Sequence, residues 1–506
     1  MMEQYLAHSE LLSNLINQIT TIDFEAIAFP EKNKVLEEIR KITAVNKNNS
    51  GKNDTANDEI LQGLYQKLNT FKIKQKQVLV IAIEQIIELA RLHSWNLCKN
   101  NGLIYIYNGA FWKHIENEEF QNFLGKAAEK LGIDELSAKH FSFKEQLFKQ
   151  FLSAAYLPRP TLSKGEVLVN LQNGTLVISP DKVYLKNFDP NDFLTYLLPF
   201  NYDTEAKCPL FNNYLAEVLP DINLQNILME YLGYLFIQSS TLKLEKALLL
   251  YGSGANGKSV FFEVTTALLG QDNISNYSLQ SLTNENGYYR AKLANKLVNY
   301  ASEINGNLEA SIFKQLASGE PVEARLPYGE PFSLQNYAKL IFNSNELPKE
   351  VEHTPAFFRR FLMVPFNVTI PEHKQDKELA NKIISSELSG VMNLVILGLK
   401  RLLDQKRFTQ SVAADNLNEY FKKQSDTVQL FLEEEQYKKS FSNYIQLKDV
   451  YSAYRTYCYE NGYKPGSNRT LSERLKNAGY EVERKSTGIV VYIEKQSYVP
   501  IEESPF

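Results

Sequence analysis

Gly252-Ser253-Gly254-Ala255-Asn256-Gly257-Lys258-Ser259 gathers three glycines, a lysine and a hydroxyl into eight residues, a combination suited to cradling a polyphosphate. The glycines let the backbone curl so that successive N–H groups face an anion, and a helix starting at the same point adds its positive end. Lys258 is placed to reach the β- and γ-phosphates, and Ser259 to ligate Mg²⁺. A glycine-rich turn with an accidental Lys-Ser is the competing reading. The apolar run Ala247-Leu248-Leu249-Leu250-Tyr251 before the motif and the helix-forming sequence after it weigh against that reading.

Hydrolysis of a triphosphate needs further groups: a carboxylate to polarise the attacking water, a polar group near the γ-phosphate, and positive charge for the transition state. Leu297-Val298-Asn299-Tyr300-Ala301-Ser302-Glu303 predicts a strand ending in an acid, expected at the carboxyl end of a parallel strand next to the motif. Leu340-Ile341-Phe342-Asn343-Ser344-Asn345 predicts another strand, ending in an amide, and Arg359-Arg360 follows among Phe357, Phe358 and Phe361. Singly each is weak, since strand-end Glu and Asn are ordinary surface and turn residues and an Arg pair is usually solvated. Their order carries the weight, with 45 residues from Lys258 to Glu303 and 42 from there to Asn345.

The chain of 506 residues, 44% hydrophobic and 23% charged, is long enough for several cores. Helix-period apolar positions predict a helical region over 1–95, interrupted by a polar linker near 46–57, with its second helical stretch over about 58–98. A mixed α+β region follows over 96–209, with hairpin signals at Asn108-Gly109 and Asn173-Gly174. The expected fold is α/β: an ATPase domain with a parallel sheet over 210–375, a helical connector over 376–425, three helices and a β hairpin over 426–495, and a tail over 496–506.

Taken together, Asn173-Gly174, Tyr202, Cys208-Pro209, Gly233-Tyr234, Asn256-Gly257-Lys258-Ser259, Ala301-Ser302-Glu303-Ile304, Ser318-Gly319-Glu320, Asn345-Glu346-Leu347-Pro348 and Arg359-Arg360 resemble the phage and plasmid primase-helicases of helicase superfamily 3, relatives of the poxvirus primase-helicase. The resemblance covers roughly residues 95–495. It implies a P-loop, AAA+-like helicase domain using ATP and Mg²⁺, with Glu303 in the Walker B role, also near the metal, and Asn345 as sensor. Arg359 or Arg360 would be a finger reaching a neighbour's nucleotide in a homo-hexameric ring. It also implies a DNA-gripping loop between Glu303 and Asn345, where Lys314, Arg325 and the tip Leu326-Pro327-Tyr328-Gly329-Glu330 stand, Tyr328 being suited to stacking on single-stranded DNA. Ser302 stands where an Asp precedes the Glu in relatives, and the first 95 residues are too few for a primase domain, so the expectation is a helicase working with a separate primase.

Residues 426–495 suggest a winged helix, with Ser467 or Asn468 capping a third helix that carries Arg469, Arg474 and Lys476, and a wing about Lys485-Ser486-Thr487-Gly488. Such modules also dock proteins. The net charge of −4 confines any DNA site to local patches. Cys98, Cys208 and Cys458 are too scattered for a disulfide framework, and His93, His114, His353 and His373 show no ligand spacing. Without a secretory start or an apolar run long enough to span a membrane, the expectation is a cytoplasmic protein. The function expected is ATP-dependent unwinding of single-stranded or forked DNA, 3′ to 5′, in replication of a phage, plasmid or integrated mobile element. The alternatives are an ATP-switched initiator or loader, and a DNA-independent remodelling ATPase.

Overall fold

Alternation of apolar side chains on short strands, interleaved with amphipathic helices, yields two units in the computed structural model, which describes residues 8–48, 55–100, 103–155, 165–302, 304, 308–327, 329–348 and 351–495. The first unit holds helices α1 (His8–Gln18), α2 (Phe24–Ala28), α3 (Glu31–Asn48), α4 (Thr55–Thr70) and α5 (Gln75–Leu92), strands β1 (Leu97–Asn100), β2 (Leu103–Tyr107) and β3 (Trp112–Ile115), then α6 (Asn117–Lys130), α7 (Glu135–Lys139) and α8 (Phe141–Ala154). Its core joins Leu15, Ile83, Ile104, Phe120 and Phe151. The helical stretch expected over 58–98 is corrected here. It breaks after Thr70 and ends at Leu92, and Leu97 and Cys98 pair with Ile106 and Tyr105 in the antiparallel sheet β1-β2-β3. The expected linker is helical through Asn48, and residues 49–54 lie outside the described residues.

The second unit opens with β4 (Val167–Leu171), β5 (Gly174–Ile178) and β6 (Val183–Lys186). A two-residue turn joins β4 to β5, with Leu171 opposite Gly174 at positive φ. Asn173 in that turn brackets the Tyr202 backbone, its side chain accepting from Tyr202 N and donating to Tyr202 O, both at 2.9 Å. Then follow α9 (Pro209–Val218), α10 (Ile222–Tyr234), β7 (Ala247–Tyr251), α11 (Lys258–Leu269), β8 (Ile274–Ser275), α12 (Leu279–Thr283), α13 (Tyr288–Ala291), β9 (Val298–Ala301), α14 (Ala310–Ser318), β10 (Val322–Ala324), β11 (Phe332–Leu334), β12 (Lys339–Ser344), α15 (Pro355–Phe358) and β13 (Phe361–Pro365).

A five-stranded sheet forms in the order β13-β7-β12-β9-β8 with every pairing parallel. Parallel strands covered on both faces read as continuous apolar runs, and Ala247 to Leu250 and Leu340 to Phe342 are buried throughout. The strand expected to end in Glu303 is not the neighbour of β7, because β12 lies between them. The apolar Leu-Ile-Phe run of β12 belongs at the centre, whereas β9 carries Asn299, whose carboxamide ties the edge by accepting from Ser275 Oγ and Tyr277 N, both at 2.9 Å.

After the sheet come α16 (Leu379–Ser386), α17 (Leu388–Gln405) and α18 (Val412–Gln424). Phe421 and Leu417 of α18 join the sheet core beside Phe358 and Phe361, so the end of the expected helical connector over 376–425 is a packed helix running to Gln424. The last part holds α19 (Thr427–Glu434), β14 (Tyr437–Lys439), β15 (Ile445–Gln446), α20 (Leu447–Glu460), α21 (Asn468–Asn477), β16 (Val482–Lys485), β17 (Gly488–Val491) and β18 (Ile493–Lys495). Its three helices pack through Phe431, Tyr454 and Leu471, and the sheet β15-β17-β16 adds a strand that the sequence pattern did not reveal. Among the described residues no single helix is long and apolar enough to cross a membrane.

Candidate functional site

The 252–257 loop leaves β7 at its carboxyl end and feeds α11 through Gly257, whose φ of +87° only glycine holds without strain. Ala255 also has positive φ, and its carbonyl accepts from Ile370 N at 2.8 Å, which anchors this unfavourable turn from outside. Gly252 donates to Ser344 O at 3.1 Å, hooking the loop onto the end of β12. A Cβ at Gly252 would fall 2.2 Å from Asn256 Nδ2 and 2.5 Å from Phe366 O, so no larger residue fits. Asn256 is a brace: its Nδ2 donates to Phe366 O at 3.1 Å and its Oδ1 accepts from Lys258 Nζ at 3.3 Å.

Lys258 is buried, donating also to Gly252 O, and no carboxylate pairs with it among the described residues. Burial without a counter-charge pushes its ammonium below the ordinary lysine value. A cation held against neutral oxygens at a helix start is a cradle for an anion, so the residues fit a bound phosphate. Ser259 is exposed on the first turn of α11, as is Ser253 in the loop, and Gly254 is half-buried. Tyr214 of α9, which sequence reasoning missed, props the loop from below by donating to Gly257 O at 2.8 Å. It stands 43 residues upstream in chain, and no local pattern marks it.

Glu303 lies outside the described residues, as does Tyr328. Asn345 is exposed immediately after β12, on the strand that receives Gly252 N. Just before it, Tyr300 of β9 donates to Asn343 Oδ1 at 3.1 Å and fastens the two strands.

Arg359 and Arg360 precede β13, the strand paired with β7. With Phe361 opposite Ala247 and Pro365 opposite Tyr251, they stand at the amino end of strands whose carboxyl ends carry the loop, roughly four residues and ~13 Å away. Arg360 is buried, bonding Ser318 Oγ at 3.1 and 3.2 Å and Lys314 O at 3.2 Å. Arg359 is open, with 62% of its side chain accessible and one ion pair, to Glu245 at 3.0 Å.

Lys314 and Arg325 are not brought together. Lys314 is on α14 with its ammonium held by Glu352 at 2.9 Å. Arg325 opens the loop of the β10–β11 hairpin and donates to Gly329 O at 2.8 Å. Buried Arg290 braces the hairpin base from α13, donating to Glu323 O at 2.7 Å and Leu282 O at 3.1 Å. On α21, Ser467 is the cap, accepting from Thr470 N at 3.1 Å. Arg469 and Lys476 are exposed, whereas Arg474 is drawn back to Asp426 at 3.4 Å.

Residues 84–220 match the family model described as D5 N terminal like, and residues 423–503 match that described as Poxvirus D5 protein-like. In these two segments the chain is similar to the phage and viral primase-helicases. Residues 250–360 match a family of unknown function (DUF5906), a span that includes the 252–259 loop and Asn345. A protein of Acanthamoeba polyphaga mimivirus, provisionally named helicase L207/L206, is 23% identical over 248 residues, 46% of this chain. The match spans a quarter of that protein's length, 25%. Two apo structures of the NrS-1 C terminal region each have a TM-score of 0.43. One, at 13% identity, covers 81% of this chain and 98% of that one; the other, at 14%, covers 80% and 98%.

Proposed function

We propose that the chain is an ATP-dependent DNA helicase of the hexameric, superfamily 3 type. The observation that carries this reading is the placement of a phosphate cradle and an exposed Arg359 at opposite ends of one parallel sheet. Identical subunits arranged head to tail in a ring bring the arginine of one to the cradle of the next, and repetition of that contact closes the assembly. In this reading residues 252–259 are the P-loop of an AAA+-like domain. Lys258 binds the β- and γ-phosphates, Ser259 and Glu303 would hold Mg²⁺, which would supply charge neutralisation at the phosphates, Glu303 would polarise water and Asn345 senses the γ-phosphate.

Arg359, not Arg360, is the finger. Arg360 is already committed to three acceptors inside its own subunit, whereas Arg359 needs only to leave Glu245. The β10–β11 hairpin, through Arg325 and Tyr328, grips one DNA strand, and residues 426–495 form a winged helix offering Arg469 and Lys476 to phosphates. Translocation from 3′ to 5′ belongs to this reading by family resemblance. The test is strand displacement on a forked duplex. Displacement that requires ATP and disappears in Lys258→Ala supports the motor; ATP-dependent DNA binding without displacement identifies an initiator or loader instead; turnover indifferent to DNA identifies a remodelling ATPase.

A further inference from the structure

The helix α20 carries a surface that the reading above does not use. Tyr451, Arg455 and Tyr459 recur every four residues and therefore share one face of the helix. The guanidinium of Arg455 lies between the two rings, 6.0 Å from the Tyr451 centroid and 5.7 Å from that of Tyr459, and donates to Tyr459 Oη at 3.4 Å. Tyr459 is 64% exposed, so its ring is accessible from solvent. With Gly462, Tyr463 and Lys464 of the following turn, these residues line an open cleft of about 500 Å³.

Two cations and three tyrosines line this cleft, and no carboxylate does. The acidic groups of the same helix lie in a different cleft, lined by Asp449 and Glu460 together with Glu435. A chain that is acidic overall has thus kept one helix face free of negative charge. Aromatic rings interleaved with guanidinium and ammonium groups bind unpaired bases by stacking and the linking phosphates by charge. The two ring positions are ~12 Å apart along the helix axis, which leaves room for the cation between two stacked bases. Paired bases offer no free face to such rings, so the chemistry selects a single strand over a duplex.

We infer that the Tyr451–Arg455–Tyr459 face of α20, with Lys464, is a binding site for single-stranded nucleic acid, separate from α21. It does not depend on nucleotide turnover at the 252–259 loop, so its test is run without nucleotide and succeeds or fails independently of the helicase reading. The full chain is titrated into a labelled oligothymidylate of about 15 nucleotides, and is photo-cross-linked to the same oligonucleotide carrying 5-iododeoxyuridine. Tyr451→Ala and Tyr459→Ala should each raise Kd about tenfold, while Tyr459→Phe should bind as the parent does. Arg455→Gln should lower the slope of log Kd against log salt by about 0.7. Adducts should map to the peptide holding Tyr451 and Tyr459. Adducts confined to other segments, or an unchanged Kd in a Tyr451→Ala/Tyr459→Ala double variant that melts with the parent, would overturn the inference. Mapping on the unsubstituted protein decides even if a variant misfolds.

Discussion

Two adjacent arginines can carry the same charge and serve unrelated ends. Arg360 is enclosed by Ser318, Lys314 and Ala356, so truncation strands buried acceptors. Arg360→Ala should therefore lower the unfolding free energy by about 2–4 kcal/mol. Arg359→Ala should stay within about 0.5 kcal/mol of the parent, because its one ion pair is half in solvent, while ATP turnover falls about 10³-fold. Chemical denaturation beside a turnover assay separates the two, and equal stability losses would refute the division of roles.

Lys339 offers a second test at this scale. Partly accessible as a residue, it lays its ammonium 4.2 Å over the Tyr234 ring, and desolvation lowers its pKa to about 8. An unfolded lysine titrates near ~10.4, so the unfolded chain holds the proton more tightly. The penalty for burying the charged form is complete below about pH 8 and is relieved as pH rises from there to ~10.4, so this residue makes stability increase with pH across that window. Lys339→Met should remove that rise and raise the melting temperature at pH 7. Melting curves between pH 7 and 10 would show it.

At the scale of elements, close packing of one helix pair rests on glycine and a buried acid. Helices α10 and α17 cross at two glycines: a Cβ at Gly398 would stand 2.5 Å from Met229 C, and one at Gly233 would stand 2.7 Å from Leu399 Cβ. Buried Glu230 in α10 takes hydrogen bonds from Arg401, Gln405 and Thr409, which pins the register of this pair. Since the obstruction at Gly398 is backbone, Gly398→Val should cost about 3 kcal/mol or more, read as a fall in melting temperature larger than that of Leu397→Val on the exposed neighbouring position. Gly233 stood among the motif residues, but neither its packing role nor Gly398 was marked by any local pattern, because close approach of helices 165 positions apart is a tertiary fact. The start of α11, by contrast, was readable from the glycine motif that ends at Gly257-Lys258-Ser259.

For the whole molecule, the proposal makes activity a property of pairs of subunits. Arg359→Ala subunits keep an intact cradle, and Glu303→Gln subunits keep an intact finger, so each alone should be inactive. Mixing them should restore part of the turnover, since some cradles then face a competent arginine. Light scattering after gel filtration should show a larger assembly with a nucleotide analogue than without. Failure of the mixture to recover turnover would sink the shared-site reading.

The conformation of the 252–259 loop, the strands flanking it, the capped third helix and the short β turns were determined by local sequence, because glycine conformation, hydrophobic period and capping act within a few residues. Tertiary structure alone decided that β12 lies between β7 and β9, that Tyr214 props Gly257 and that Asn256 is a brace. It also decided that Lys314 is tied to Glu352 while Arg325 stands at the hairpin, and that Arg359 is open where Arg360 is enclosed. Those outcomes depend on which surfaces meet after the chain has folded back on itself, and residue spacing along the chain carries no record of that meeting.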